Sequence, residues 1–334
     1  MNENSENNIY FFEGIEVIEG DFDFISEQVK SWSPDKILIH FINEKHMEIL
    51  KSIEYSIPSI IWIHGVEALS WKRRLFNFTG KRFLWYILDN NKKLKSMKLF
   101  IESAKNIHFV FVSNWMKKVM EKDVGVSIKN YEVIPNVINT DIFKYIPKDA
   151  EQRKKILIIR NFDSRKYANE LSIKAILKLK EKEYFSELEF CIYGQGRYFK
   201  SLTSQLSNLK NVKIFNTFLP QSKIAEIHKD YGVFLCPTRQ DSQGVSMCEA
   251  MSSGLVPITS NNTAIPEFVS SEAGYLTDNK VKSIVAAIED LYFNKEEFTK
   301  RSYSSNKIIY DKCKQTEIVS REITFIKSSE EKKS

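Results

Sequence analysis

The stretch from residue 237 to residue 254 carries the strongest chemical signal in the chain. It reads PTRQDSQGVSMCEAMSSG and continues an apolar run typical of a buried strand, so it predicts a turn followed by a short helix that Gly254 ends. The backbone N–H groups of Gly244 and Val245 would then lie at the N-terminus of that helix. Such a terminus suits a diphosphate, and a glycine lets the backbone approach the anion closely.

Polar side chains accompany this helix terminus. Asp241 begins the turn and Glu249 lies within the helix, while Ser242 and Gln243 complete the turn between them. Most helical glutamates only cap or solvate their helix, which is the alternative interpretation of Glu249. Because several independent features coincide in one segment, we predict that the segment binds a ligand.

Cationic side chains follow a second apolar run, KILIIR, at 155–160. Arg160 ends the run, and Arg165 and Lys166 follow within six residues. Prepositioned cations of this kind stabilise a leaving group that gathers negative charge. Salt bridges on a solvated face are the alternative. Of Arg165 and Lys166, we favour Lys166 as the cation that acts together with Arg160.

Two more strand ends carry candidate residues. Gly194 lies in CIYGQGRYF, which lacks the last glycine of a dinucleotide-binding fingerprint. The segment therefore predicts only a tight turn from strand to helix, close to the ligand that the 237–254 segment would bind. His64 ends the apolar run SIIWIH. A lone histidine at a strand end is as often a satisfied structural group as a ligand contact, although a strand end at the edge of a cleft favours the contact.

The elements that must position these residues form two series of alternating strands and helices. Runs that are apolar on both faces, separated by segments of helical length, predict parallel sheets covered on both sides. The predicted strands are 37–43, 59–64, 108–115 and 131–135 in the first series, and 155–160, 188–194, 211–215, 232–238 and 255–260 in the second. The fold class is therefore α/β, with two doubly wound domains and a cleft at the carboxyl ends of their strands.

The two series meet near residues 144–154, where polar residues and a proline interrupt both patterns. The predicted domains are 1–146 and 147–315, followed by a helix end and charged tail at 316–334. From Phe325 onward the tail is too charged to pack, so fraying is expected there.

The segment 237–269 resembles the signature of the family 4 retaining glycosyltransferases. That signature has a carboxylate, seven residues, a glutamate, then Ala-Met, a turn of small residues and a Pro-Glu pair. Asp241 and Glu249 match the two carboxylates, and Pro266 and Glu267 match the pair. The first position is usually glutamate, so Asp241 departs from the pattern by one methylene, about 1.5 Å of reach.

The resemblance implies roles for individual residues. Glu249 would hold the ribose hydroxyls of a nucleotide-sugar donor, and Asp241 the donor sugar. Arg160 and Lys166 would bind the diphosphate, while His64 would contact the transferred sugar from the acceptor side.

The resemblance further implies a GT-B fold, in which two Rossmann-like domains face each other across a cleft. The N-terminal domain would bind a glycan or lipid-linked acceptor, and the C-terminal domain a UDP- or GDP-sugar, without a cofactor or metal ion. Transfer would retain the anomeric configuration. Two alternatives stay open: a GT-B nucleotide-sugar 2-epimerase, and a catalytically silent partner subunit of a true transferase.

The overall composition indicates the cytoplasm. No apolar run approaches 18 residues, and the first eight residues are polar, so neither a membrane span nor a secretion signal is expected. The four cysteines lack metal-binding spacing, and three of them lie in or beside apolar runs, where buried thiols are expected.

The stretch 71–105 is unusually basic. It holds ten Lys and Arg residues against two acidic ones, together with Trp71 and Trp85. Within it, 81–103 predicts a helix with one apolar face, formed by Phe83, Ile87, Leu94, Met97 and Ile101. The outer face could rest on an anionic membrane surface, or it could simply be solvated. Nucleic acid is not expected, because no binding motif accompanies the charge.

The amino-terminal segment fits the resemblance poorly. It lacks the glycine-rich loop with which the family opens, since only Gly14 and Gly20 are present near FFEGIEVIEGD. Asp21-Phe22-Asp23 matches a metal-binding pattern of the other glycosyltransferase fold, but without that fold's surroundings it predicts a solvated turn.

Overall fold

The structure is a computed structural model, and it describes residues 7–78 and 80–328. The polar residues at the start of the chain up to residue 6, and the charged tail from residue 329, lie outside the described residues.

The N-terminal domain begins with an antiparallel hairpin, followed by a four-stranded sheet that is parallel throughout. The hairpin strands are β1 (Asn8–Phe12) and β2 (Ile15–Glu19). The sheet strands, in spatial order, are β3 (Ile37–His40), β4 (Ser59–Ile63), β5 (Ile107–Phe111) and β6 (Tyr131–Val133). The helices are α1 (Phe22–Trp32), α2 (Glu44–Ser52), α3 (Lys81–Ser103) and α4 (Asn114–Val124).

The C-terminal domain contains a six-stranded parallel sheet in the order β12-β11-β10-β7-β8-β9. Its strands are β7 (Lys155–Ile159), β8 (Glu189–Gly194), β9 (Val212–Asn216), β10 (Val233–Leu235), β11 (Val256–Ser260) and β12 (Tyr275–Thr277). The helices are α5 (Asn169–Leu179), α6 (Phe199–Thr203), α7 (Gln221–His228), α8 (Val245–Ser252), α9 (Val281–Phe293), α10 (Lys295–Cys313) and α11 (Gln315–Ser328). The strand order reverses between β7 and β10, and ligands of such sheets bind at that switch point.

Each parallel sheet is covered on both faces, and each domain therefore has its own hydrophobic core. The predicted strands inside the sheets are buried accordingly, and β4 is buried at every residue, whereas the edge strands β3, β6 and β9 are partly exposed. All four cysteines are buried and free, one more than the apolar runs predicted. The alternation of apolar runs with helical segments therefore identified the architecture correctly.

The end of the chain corrects one prediction. Helix α11 continues to Ser328, the last described residue, instead of fraying from Phe325. Phe325 and Ile326 pack against a buried cluster that includes Trp62, and Glu322 accepts a hydrogen bond from Trp62 Nε1 at 3.0 Å. The apolar residues between the charges form one face of the helix, and that face covers the N-terminal sheet.

Two local predictions are refined. Asp21 is the N-cap of α1, where its side chain accepts a hydrogen bond from the backbone N–H of Phe24, so the Asp-Phe-Asp pattern marks a helix start. Helix α3 buries Phe83, Leu94 and Met97, as its periodicity predicted, whereas Ile87 and Ile101 are only partly buried and Phe100 is buried in addition. Within the described residues, no helix combines the length and the apolar character needed to cross a bilayer.

Candidate active site

Helix α8 begins at the switch point, directly after the turn that follows β10. Gly244 is its N-cap with φ +84°, a left-handed conformation that glycine adopts without strain. Asp241 Oδ1 accepts a hydrogen bond from the Gly244 N–H at 3.0 Å. The Asp241 carboxylate therefore accepts a hydrogen bond from a backbone N–H that the sequence assigned to a diphosphate, and a diphosphate bound there would compete with it.

Gln243 does not direct its side chain into the cleft. Its Oε1 accepts hydrogen bonds from the backbone N–H and the side-chain amide of Asn136, at 2.6 and 3.0 Å, and its Nε2 donates to the Asn136 carbonyl at 2.9 Å. The side chain is only 1% exposed. Gln243 thus links the α8 turn to the segment that follows β6. Only the backbone groups of Gln243 remain to contact a ligand in the cleft.

Arg160 lies immediately after β7, beside the α8 turn. It is buried, and Nη1 donates to Ser246 Oγ at 3.2 Å, whereas Nε and Nη2 have no partner. Gly194 makes this position possible, because a Cβ there would lie 2.2 Å from the Arg160 carbonyl oxygen. A buried guanidinium with unsatisfied donors is costly unless an anion completes its contacts.

The structure separates the two cations that the sequence left as alternatives. The Lys166 Nζ lies 5.2 Å from the ring centroid of Tyr167, and the Arg160 guanidinium carbon lies 4.6 Å from the same ring. Arg165 instead faces Tyr198, in a different cavity. Tyr167 therefore joins Arg160 and Lys166 in one cationic group, and the preference for Lys166 gains geometric support.

Residues of both domains line one cavity of about 240 Å³. Asp241, Ser242 and Lys166 come from the C-terminal domain, and His64 and Trp115 from the N-terminal domain. A second cavity, of about 280 Å³, includes Arg160, Tyr167, Gly194 and Ser246 in its wall. Predicted residues that are up to 178 positions apart in the chain, His64 and Ser242, thus line one cavity between the two sheets.

His64 is paired with a second histidine. His40 Nδ1 and His64 Nε2 lie 2.9 Å apart, and His40 also stacks on Trp62. Burial lowers the pKa of both imidazoles; for His64 it outweighs the opposite effect of Glu67 and of a hydrogen bond with Asn136. Two neutral imidazoles form one hydrogen bond, with one ring as donor and the other as acceptor, so His40 restricts the tautomer of His64.

Glu249 is almost fully buried in α8 and faces α7. Its Oε1 accepts a hydrogen bond from Gln221 Nε2 at 3.1 Å, and burial raises its pKa to about 7. Ser246, the partner of Arg160, lies one helical turn before it. A carboxylate in this position can accept hydrogen bonds from two neighbouring hydroxyl groups, because the single amide leaves the other oxygen available.

Sequence reasoning missed Tyr167, Trp115, Asn136 and His40. Each is an ordinary core or turn residue by its local pattern, and each gains its role from a contact with a distant segment. Asn136 lies in the loop after β6 and contacts both Gln243 and His64. The apolar run predicted a strand over 37–43, with His40 inside it, whereas β3 ends at His40 and so brings this side chain to the same sheet edge as His64.

Comparisons with known proteins agree with this arrangement. Residues 140–307 match the family model described as Glycosyl transferases group 1. A relative, the uncharacterised 41.2 kDa protein in the cps region of Klebsiella pneumoniae, is 24% identical over 298 residues, which cover 80% of each chain.

Among solved structures, sucrose-phosphate synthase from Thermosynechococcus elongatus is similar with a TM-score of 0.76, at 12% identity over 98% of this chain and 86% of that one. The Anabaena Alr3699/HepE protein in complex with UDP and glucose gives a TM-score of 0.69, at 13% identity over 92% of this chain and 81% of that one. These similarities confirm the predicted GT-B fold. Together with the family match, they show that the chain belongs to the Glycosyl transferases group 1 family and functions in glycosyl transfer.

Proposed function

We propose that the protein transfers a sugar from a nucleotide diphosphate, with retention of configuration and without a metal ion, to a glycan or lipid-linked acceptor. The observation that carries this proposal is Arg160, a buried guanidinium with two unsatisfied nitrogens at the switch point of the C-terminal sheet. An anionic ligand would satisfy both nitrogens. The adjacent α8 terminus and Lys166 favour the same charge.

The proposed contacts give the donor one orientation. Its diphosphate would contact Arg160 and the Gly244 turn, and its ribose hydroxyls would face Glu249. Asp241 would hold the donor sugar, and His64 would approach it from the other domain, since both line the same cavity. UDP is the first candidate nucleotide, because the Anabaena HepE and pneumococcal GtfA structures are both complexes with UDP.

The reaction breaks the bond between the anomeric carbon and the diphosphate oxygen, and the acceptor oxygen bonds to that carbon on the same face. The leaving diphosphate takes the acceptor proton. Negative charge grows on its oxygens as the bond breaks, so Arg160 and Lys166 stabilise the transition state more than the ground state.

The acceptor would enter through the N-terminal domain. A cavity of about 620 Å³ there has apolar walls that include Phe41, Met47 and Met97, with Glu44, Lys45 and Lys93 among its charged members. It shares Phe41, Val66 and Glu67 with the cavity of His64 and Asp241. An amphipathic acceptor suits such walls, and the cps-region relative supports a role in surface polysaccharide synthesis.

The proposal is tested with a panel of UDP-, GDP- and dTDP-sugars. A true donor raises the melting temperature, because it binds only the folded state, and then yields a new glycoside when the acceptor is present. Conversion of the donor sugar without an acceptor would indicate the 2-epimerase instead. Binding without turnover of any kind would indicate a silent partner subunit.

Activity is expected to survive EDTA. The positive charge at the diphosphate would come from Arg160, Lys166 and the α8 terminus, so chelation removes nothing that the site uses. The measurement is nucleoside diphosphate release before and after chelation. Loss of activity that manganese or magnesium restores would contradict the metal-independent mechanism.

Helix α3 supports a peripheral position at the inner face of the membrane. On its outer side Leu84, Trp85 and Leu88 are 56%, 75% and 64% exposed, and the same helix carries the exposed cations Lys81, Arg82, Lys92, Lys93 and Lys95. Apolar side chains among cations are typical of a helix at the surface of an anionic bilayer.

Binding to vesicles with anionic phospholipid is therefore expected at low salt, with release as salt rises and weak binding to neutral vesicles. Each surface cation contributes roughly 1 kcal/mol, so replacing Lys92, Lys93, Lys95 and Lys98 by glutamine should abolish co-sedimentation and leave donor binding intact. The matched control replaces exposed lysines of the other domain, Lys174, Lys178, Lys200 and Lys210. Equal binding to neutral and anionic vesicles would contradict the attraction to anionic lipid, and no binding to either would indicate a merely solvated helix.

A further inference from the structure

The Pro-Glu pair of the signature carries a contact between the domains. Glu267, from the C-terminal domain, accepts hydrogen bonds from two backbone N–H groups of the N-terminal domain: Asn114 at 2.9 Å and Trp115 at 2.7 Å. The Asn114 side-chain amide adds a contact at 3.2 Å. Both oxygens of one carboxylate are thus used across the interface.

These two N–H groups are the first in α4. Ser113, the N-cap residue, accepts a hydrogen bond from the third N–H group, that of Met116. The first turn of α4 is therefore capped by two residues: Ser113 from the same segment, and Glu267 from more than 150 positions away. A carboxylate is stabilised at a helix N-terminus by both the N–H groups and the helix dipole. Water can replace it there, so the contact can form and break.

Both ends of the contact are connected to the reacting groups. Trp115 lines the cavity that contains His64, Lys166 and Asp241. Ile265, on the same 3-10 turn as Glu267, packs against the Gly244 turn, where an added Cβ would lie 3.1 Å from its Cδ1. Displacement of Glu267 would therefore separate the Trp115 wall from the donor turn.

We propose that Glu267 is a positioning residue for glycosyl transfer, which aligns the acceptor wall of the N-terminal domain with the donor turn of the C-terminal domain by capping α4 from across the cleft. Glu267 touches none of the reacting groups. Its loss changes the relative placement of the domains and leaves the nucleotide site intact.

The alignment can be measured without any substrate. Nitroxide labels on Lys51→Cys and Lys200→Cys, both exposed positions in different domains, report the interdomain distance, and the native cysteines are buried. Glu267→Ala is expected to broaden the distance distribution and shift it to longer values. Glu272→Gln, an exposed carboxylate of the same segment, is the charge-matched control and should leave the distribution unchanged.

A second variant removes two of the three hydrogen-bond donors instead of the acceptor. Asn114 is the first residue of α4, a position that accepts proline, and Ser113 before it is extended with φ −161° and ψ 157°. Asn114→Pro therefore deletes the Asn114 backbone N–H and side-chain amide while preserving the helix, and it leaves the Trp115 N–H in place. It should change the interdomain distance in the same direction as Glu267→Ala but less, and the double variant should match Glu267→Ala.

The kinetic readout rests on the proposed function, whereas the distances do not. Glu267→Ala should lower kcat roughly tenfold to a hundredfold, with the affinity for UDP as probe changed less than about threefold. Distances that stay at the wild-type values in folded Glu267→Ala and Asn114→Pro, or UDP affinity that falls in parallel with kcat, would overturn the proposal. If no donor is turned over, the proposed function fails and the distance measurement still decides the alignment.

Discussion

Arg160→Met is expected to lower kcat/KM for the donor by about 10²- to 10³-fold, the usual effect of removing one donor that stabilises developing negative charge. The same change should leave the melting temperature of the nucleotide-free protein unchanged or raise it. The guanidinium is buried with Nε and Nη2 unsatisfied, and methionine fills similar volume without that cost. Activity and stability should therefore change in opposite directions.

The matched control for this prediction is Arg165→Met. Arg165 is exposed and faces Tyr198 in the neighbouring cavity, so its removal should change kcat/KM little. Turnover measured by nucleoside diphosphate release, together with thermal melts, checks both variants. A large loss in Arg165→Met, with normal turnover in Arg160→Met, would reverse the assignment of the diphosphate contacts.

Glu249→Gln is expected to weaken donor binding at pH 8 and to remove its pH dependence. In the wild type, burial raises the Glu249 pKa to about 7, so the carboxylate that would accept the ribose hydroxyls is lost as pH falls from 8 to 6. Donor affinity should decline over that interval. Glutamine has a single acceptor oxygen and does not titrate, so the variant should bind weakly at every pH.

The free energy of unfolding of the nucleotide-free protein should depend on pH in the opposite sense to donor affinity. A carboxyl whose pKa is higher in the folded than in the unfolded state contributes stability that is fully present below pH of about 4.5 and is lost as pH rises through about 7. Glutamine does not ionise, so Glu249→Gln removes the free-energy cost of the buried, ionised carboxylate at high pH. Its free energy of unfolding should exceed that of the wild type at pH 8, by up to roughly 3 kcal/mol, and match it at pH 4.

Isothermal titration with the donor and denaturant unfolding at pH 4, 6 and 8 test both effects. Glu226→Gln, an exposed carboxylate on α7 that pairs with Lys223, is the control and should leave donor affinity unaltered. Donor affinity that is the same in Glu249→Gln and wild type, in a folded protein at pH 8, would remove Glu249 from the ribose site.

Local pattern was sufficient for the elements that hold the site. Apolar runs predicted every strand of the two parallel sheets except β12, and the spacing within 237–254 predicted the turn, the helix and its end at Gly254, because each depends on residues a few positions apart. The same reasoning correctly predicted the buried face of α3. The prediction was wrong for the end of α11. Its many charged residues suggested a frayed tail, but the apolar residues between them form a face that packs on the N-terminal domain.

The sequence by itself determined that Asp241, Gly244 and Glu249 would share one turn and helix, and that Arg160 would stand beside them, since parallel strands bring their carboxyl ends to one edge. Only the tertiary structure decided which partners these segments meet. Gln243 bonds to Asn136, Lys166 and not Arg165 joins Arg160 at Tyr167, His40 pairs with His64, and Glu267 caps α4. Periodicity and turn chemistry act over a few residues, whereas these contacts join segments brought together by chain closure and core packing, which leave no regular spacing in the sequence.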